Sequence, residues 1–109
     1  MKKMTDDEYE KLLRGCTEAW GEDSQILIAI EEMGELIQVL SKYLWRDKGD
    51  AEKRAELLEK ICQEIADVKI TSGDQLRLIF GPDEVDKYKA EKTERLAGRL
   101  EKWQKENPR

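Results

Sequence analysis

Apolar residues recur every three to four positions along most of the chain, as in Ile26, Leu27, Ile30, Met33, Ile37, Leu40 and Leu44. That spacing matches the 3.6-residue turn of an α-helix and not the two-residue repeat of a strand. It predicts an all-α chain of four helices. Thr5 followed by Glu8 is a capping box, in which hydroxyl and carboxylate satisfy backbone amides reciprocally. The first helix therefore starts there and runs to roughly Cys16, with Trp20 and Gly21 as its exit. Asp23 or Ser24 is placed to cap a second helix, which carries the apolar series above to about Arg46. Residues 47–50 supply a polar turn and a cap, after which Leu57, Leu58, Ile61, Ile65, Val68 and Leu76 mark a third helix ending at Gly81 and Pro82. Gly73 is a point of softening or bending within it. Asp83 caps a fourth helix bearing Val85, Tyr88, Leu96, Leu100 and Trp103, and residues 106–109 fray.

With 109 residues the chain is expected to form one domain spanning 1–109. Its 39% hydrophobic residues include one Phe, so the core is lean and association with further copies is expected. The net charge of -5 argues against a grip on nucleic acid polymers, which needs a basic surface. The charge is uneven. Residues 87–109 hold eight Lys or Arg against four Glu, which leaves the first 86 residues at -9: an acidic body with a basic tail. Cys16 and Cys62 lack both a disulfide framework and thiolate-metal spacing, so reduced structural thiols are expected. No apolar run approaches transmembrane length and the N-terminus has no leader pattern, so the expectation is a cytoplasmic protein with no membrane partner.

Two clusters of carboxylates change the picture. Glu31, Glu32 and Glu35 lie on the second helix and Glu64 and Asp67 on the third. At about 100° per residue the first three share an arc of roughly 100°, and the other two stand about 60° apart. Glutamate runs in a chain that is 41% charged usually mark a solvated face. Here Ile28 and Val39 fall inside the arc of the first cluster, while Leu57 and Val68 fall within about 40° of Glu64, with Ile61 close beside it. These carboxylates are therefore expected to face inward, where like charges repel strongly unless cations compensate.

The chain has no histidine, and the acidic stripes carry no matched lysine ladder, so bound cations are the economical compensation. An all-oxygen ligand set selects a hard ion, Mg2+ or Mn2+, which keeps positions open for water and substrate phosphate. Without histidine the Glu-x-x-His pairs of di-iron carboxylate bundles cannot form. A Walker phosphate loop, zinc hydrolase motifs and a Ser-His nucleophile are also missing. Metal-assisted hydrolysis of a phosphate ester or anhydride is the chemistry left.

Glu31-Glu32-x-x-Glu35 followed, after 28 residues, by Glu64-x-x-Asp67 resembles the EExxE…ExxD signature of MazG-like pyrophosphohydrolases. The resemblance covers roughly residues 20–100 and includes Gly34-Glu35-Leu36, Ile65-Ala66-Asp67-Val68 and Lys92-x-x-Arg95-Leu96. It implies a four-helix MazG-like bundle, assembled as a homodimer or homotetramer, with active sites between the second, third and fourth helices. The implied reaction is hydrolysis of a nucleoside triphosphate substrate between the α and β phosphates, giving a monophosphate and pyrophosphate. Carried over by position, Glu32, Glu35, Glu64 and Asp67 become ligands of Mg2+ or Mn2+.

Glu31 supports either a second metal or the attacking water, and Glu32 shares that role as base. Lys92 and Arg95 match the phosphate clamp of the family. Lys89 and Arg99 extend the same basic stripe, which otherwise reads as solvated and paired with Glu91 and Glu94. Trp20, Gln25 and Trp45 flank the second helix as base contacts or as core filling. Lys69, Gly73 and Asp74 interrupt a segment more apolar in relatives, and Thr93 stands where some members carry Asn. Two alternatives stay open: a phosphoribosyl-ATP pyrophosphohydrolase, and a catalytically silent acidic helical interaction module.

Overall fold

The computed structural model describes residues 3–45 and 50–108, and every element among them is helical. They are α1 (Asp6–Trp20), α2 (Glu22–Trp45), α3 (Ala51–Val68), a π-helical segment (Lys69–Gln75), α4 (Leu76–Phe80) and α5 (Pro82–Glu106). α3, the π-helical segment and α4 are continuous in sequence, so the described residues form four rods. None of these helices is long and apolar enough to cross a membrane. The expected end of the second helix at Arg46, and the turn up to Gly49, lie outside the described residues. Asp50 is described and caps α3, its Oδ1 accepting from the amides of Glu52 and Lys53 at 3.1 Å.

The ends of the helices follow local chemistry. Thr5 Oγ1 accepts from the Glu8 amide at 3.1 Å and Glu8 Oε1 accepts from the Thr5 amide at 3.2 Å, completing the capping box. α1 continues past Cys16 to Trp20 and stops at Gly21, whose φ of +90° suits glycine. α2 begins immediately at Glu22, so the predicted caps Asp23 and Ser24 lie inside its first turn. α5 likewise starts from Gly81 and Pro82, and Asp83 is a first-turn residue rather than its cap. At Gly81 the φ of +145° is a conformation that residues with a side chain rarely adopt, so glycine is favoured there.

α2 is the centre of the fold, packed against α3, the π-helical segment, α1 and α4. Contacts run antiparallel along it. Tyr43 Oη accepts from Arg54 Nη2 at 2.5 Å, and farther back Ala29 O accepts from Ser72 Oγ at 3.4 Å. The core is small: Leu13, Ala29, Val39 and Ile61 are its buried apolar residues, alongside buried Gln25, Glu64 and Gln75. Gln75 Nε2 lies 2.8 Å from Leu13 O, 2.9 Å from Gln25 Oε1 and 3.1 Å from Thr17 Oγ1, so one amide joins α1, α2 and the π-helical segment.

Lys69, Gly73 and Asp74 all fall in the π-helical segment. There Asp74 accepts from Tyr9 Oη at 2.7 Å, tying α1 to the wider turn. Burial first, and then that hydrogen bond and the Asp74 charge, push the Tyr9 hydroxyl up to about 12.

The apolar series that identifies α2 in the sequence is only partly covered by this core. Val39 is 2% exposed, whereas Ile37 is 65% exposed, and Ile30 and Leu44 are also more than half exposed. α5 is barer still, with no buried residue. It packs on α4, where Arg77 Nε and Nη2 donate to the two carboxylate oxygens of Asp86 at 2.7 and 2.6 Å. The radius of gyration is 18.1 Å, against about 13 Å for a compact domain of this length.

Candidate metal centre

Antiparallel packing of α2 on α3 sets Glu32 and Glu35 opposite Glu64. One carboxylate oxygen from each of the three lies within 4.8 Å of the others. Glu64 is 8% exposed, in the same helix as buried Ile61. Glu32 is half-buried and Glu35 is exposed, so the cluster opens outward along α2. Asp67, one turn beyond Glu64, lies outside the three-way set yet close enough for its charge to act on both Glu32 and Glu64.

Electrostatically the cluster is uncompensated. Burial first, then the charges of Asp67, Glu35 and Glu64, push the Glu32 carboxyl up to about 7. Glu64 is raised as well, by burial and then by Glu35 and Asp67. No Lys or Arg figures among the groups acting on either. Glu32 Oε2 and Glu64 Oε2 are buried with no partner among the described residues other than the carboxyl groups of the cluster itself, and buried acceptors so placed are costly. The donor set is all oxygen, convergent and short of positive charge, which fits a hard divalent cation held by Glu32, Glu35 and Glu64 with Asp67 beside them.

The raised Glu32 fixes the sign of a pH effect. Without divalent cation the folded chain keeps a proton on Glu32 between about pH 4.5 and about pH 7, where an ordinary unfolded glutamate has released it. The folded state then binds more protons, so stability is expected to fall as pH rises through that window and to level off above it. Melting in chelator across the window checks this. A midpoint that climbs instead contradicts the cluster.

The other residues singled out in the sequence lie elsewhere. Glu31 is exposed on α2 beside the cluster and does not join it. Gln25 is buried and bonded to Gln75, so its side chain serves the interior. Trp20 ends α1 at 66% exposure, and Trp45 is exposed at the far end of α2. Lys92 and Arg95 are exposed on α5, which makes no extensive contact with α2 or α3. Within one copy α5 packs on α4 and shows no extensive packing against the carboxylate-bearing helices. Thr93 is spent locally, its hydroxyl donating to Lys89 O at 2.7 Å. No pattern in the sequence marks the Gln75 network, since its partners lie far apart in the chain and an isolated glutamine carries no periodic signal.

Compared with protein-family models, curated proteins and solved structures, the chain matches none.

Proposed function

We propose that the chain is a divalent-metal-dependent nucleoside triphosphate pyrophosphohydrolase of the MazG-like kind, cleaving the α–β phosphoanhydride to a nucleoside monophosphate and pyrophosphate. The observation that carries this reading is the convergence of Glu32, Glu35 and Glu64 around buried, unpartnered oxygens in a chain without histidine. Mg2+ or Mn2+ bound there supplies Lewis acidity to the phosphates and lowers the pKa of a water. Glu32, Glu35 and Glu64 would act as ligands with Asp67 adding charge, and Glu31, with Glu32 sharing the role, would accept the proton of the attacking water. Lys92 and Arg95 neutralise phosphate charge, and because α5 does not pack extensively on α2 or α3 in its own copy they come from a neighbouring one, in a homodimer or homotetramer.

Pyrophosphate release from a panel of standard and modified nucleoside triphosphates and phosphoribosyl-ATP, with Mg2+ and with Mn2+, tests the reading. Silence across the panel with both ions sinks it. It then leaves the catalytically silent interaction module, which the lack of extensive packing of α5 on α2 or α3 favours. In an active preparation, Lys92→Ala and Arg95→Ala are each expected to lower turnover on the order of 10²-fold while leaving metal-induced stabilisation intact. Unchanged kinetics in both variants assign the stripe to solvent.

A further inference from the structure

α3, the π-helical segment and α4 run on as one rod, and the widening in its middle has a defined size. The Leu76 amide donates to Thr71 O, five residues back, while the Lys69 amide is shared between Ala66 O and Ile65 O where the ladder begins to shift. A ring closed over five residues holds one residue more than an α-turn, so the rod carries one inserted residue here. Everything beyond it is turned by about 100°, and shortened by about 1.5 Å, relative to an unbroken α-helix. The local sequence suits such a break, because Ile70, Thr71, Ser72 and Gly73 are four successive residues of lower helix propensity than Ala or Leu.

α1 holds the inserted residue in place. In an unbroken helix Gln75, eleven residues after Glu64, would share its azimuth to within about 20°, on the side that faces α2. The insertion turns it to roughly 80° away. Its buried amide then reaches Leu13 O and Thr17 Oγ1 on α1 as well as Gln25 Oε1 on α2. Asp74, one residue earlier, accepts from Tyr9 Oη at 2.7 Å. Two turns of α1 therefore grip the last two residues of the segment. α1 ends at Trp20, before most of the stretch that resembles MazG-like enzymes, so the resemblance gives it no role.

We infer that the wide turn is an aiming device, held by α1, that sets the azimuth of α4 and α5 about the rod and so the direction of the basic stripe. The turn stands between the two halves of the proposed site: Glu64 and Asp67 precede it, and Lys92 and Arg95 follow it. The junction at Gly81 tilts α5, whereas the wide turn rotates α4 and α5 together. The inference rests on the proposed function only for the purpose of the stripe, and its geometry is measured without any reaction.

Deletion of Gly73 removes the inserted residue, whereas Gly73→Ala keeps it, since a Cβ there meets only ordinary contacts at 3.9 and 4.0 Å. Spin labels on Cys62 of α3, which is exposed, and on Gln104→Cys of α5, in a Cys16→Ala background, read the distance across the turn. Dilution into unlabelled chain confines the reading to one copy. The deletion is expected to shift that distance by about 5 Å or more, and Gly73→Ala to leave it unchanged. Tyr9→Phe removes only the hydroxyl and is expected to speed amide exchange in residues 69–76 by about tenfold, without a matching rise in α2. An unchanged distance in the deletion overturns the aiming role. Exchange that is unchanged in Tyr9→Phe, or that rises equally in α2, overturns the hold of α1. If circular dichroism shows that the deletion loses helix, Tyr9→Phe decides through the same pair of labels: a broadened distance supports the device, and one as narrow as the wild type's overturns it. A shifted distance in a chain silent toward every triphosphate upholds the device and removes only the proposed reaction.

Discussion

Glu35→Gln and Glu64→Gln are each expected to lower pyrophosphate release by about 10³-fold or more. Both substitutions keep side-chain volume and remove one anionic oxygen from a set in which every member lies within 4.8 Å of the others. A cation site built from three carboxylates has no spare ligand, so loss of one empties or distorts it. Asp67→Asn is expected to act in the same direction through the charge it places on Glu32 and Glu64, although its carboxylate stands outside the three-way set. The Glu35→Gln/Glu64→Gln double variant should lose little beyond either single one, because groups acting as a unit are not additive. Turnover close to wild type in either single variant would show that the cluster does not hold the catalytic ion.

The second large effect is on stability. An ion that binds the folded cluster and not the unfolded chain adds about 2.7 kcal/mol at a hundred times its Kd. For a domain of this size that corresponds to a rise in Tm on the order of 10 °C. Mg2+ or Mn2+ is expected to produce it above pH 7, where Glu32 is ionised and repulsion within the cluster is greatest. Glu64→Gln should abolish the rise. In chelator the same variant should melt no lower than wild type, since it replaces a carboxylate crowded by Glu35 and Asp67 with a neutral amide. Scanning fluorimetry with each ion and with chelator reads both arms. Superimposable curves for the wild type in all three conditions remove the metal site.

Much of the fold is legible in local chemistry. The Thr5–Glu8 box and the breaks at Gly21 and Gly81 are visible because caps and glycines act within a few residues. Helical azimuth alone sets Glu64 beside Ile61, and Ile28 and Val39 among the glutamates of α2; Ile61 and Val39 are buried, whereas Ile28 is exposed. The same azimuth grouped Glu31 with Glu32 and Glu35, and here it was too coarse. Only packing against α3 distinguishes an edge position from one that turns in. The starts of α2 and α5 differ from those the capping residues suggest because a positive-φ glycine, followed at Gly81 by Pro82, launches a helix without a side-chain cap. What periodicity could not say is which of two apolar faces of α2 a single copy covers. The buried face is led by Gln25, Ala29 and Val39, the less apolar of the two, because Gln75 reaches across to it from the wide turn.

α5 is a lever. It is 25 residues long, so its far end lies about 37 Å from the joint at Gly81 and Pro82, and Lys92 lies about 15 Å along it. A rotation of 10° at that joint moves the tip by about 6 Å and Lys92 by about 2.6 Å, close to the length of a hydrogen bond. One backbone junction, steadied by the paired contacts of Arg77 with Asp86, therefore sets the aim of the whole basic stripe.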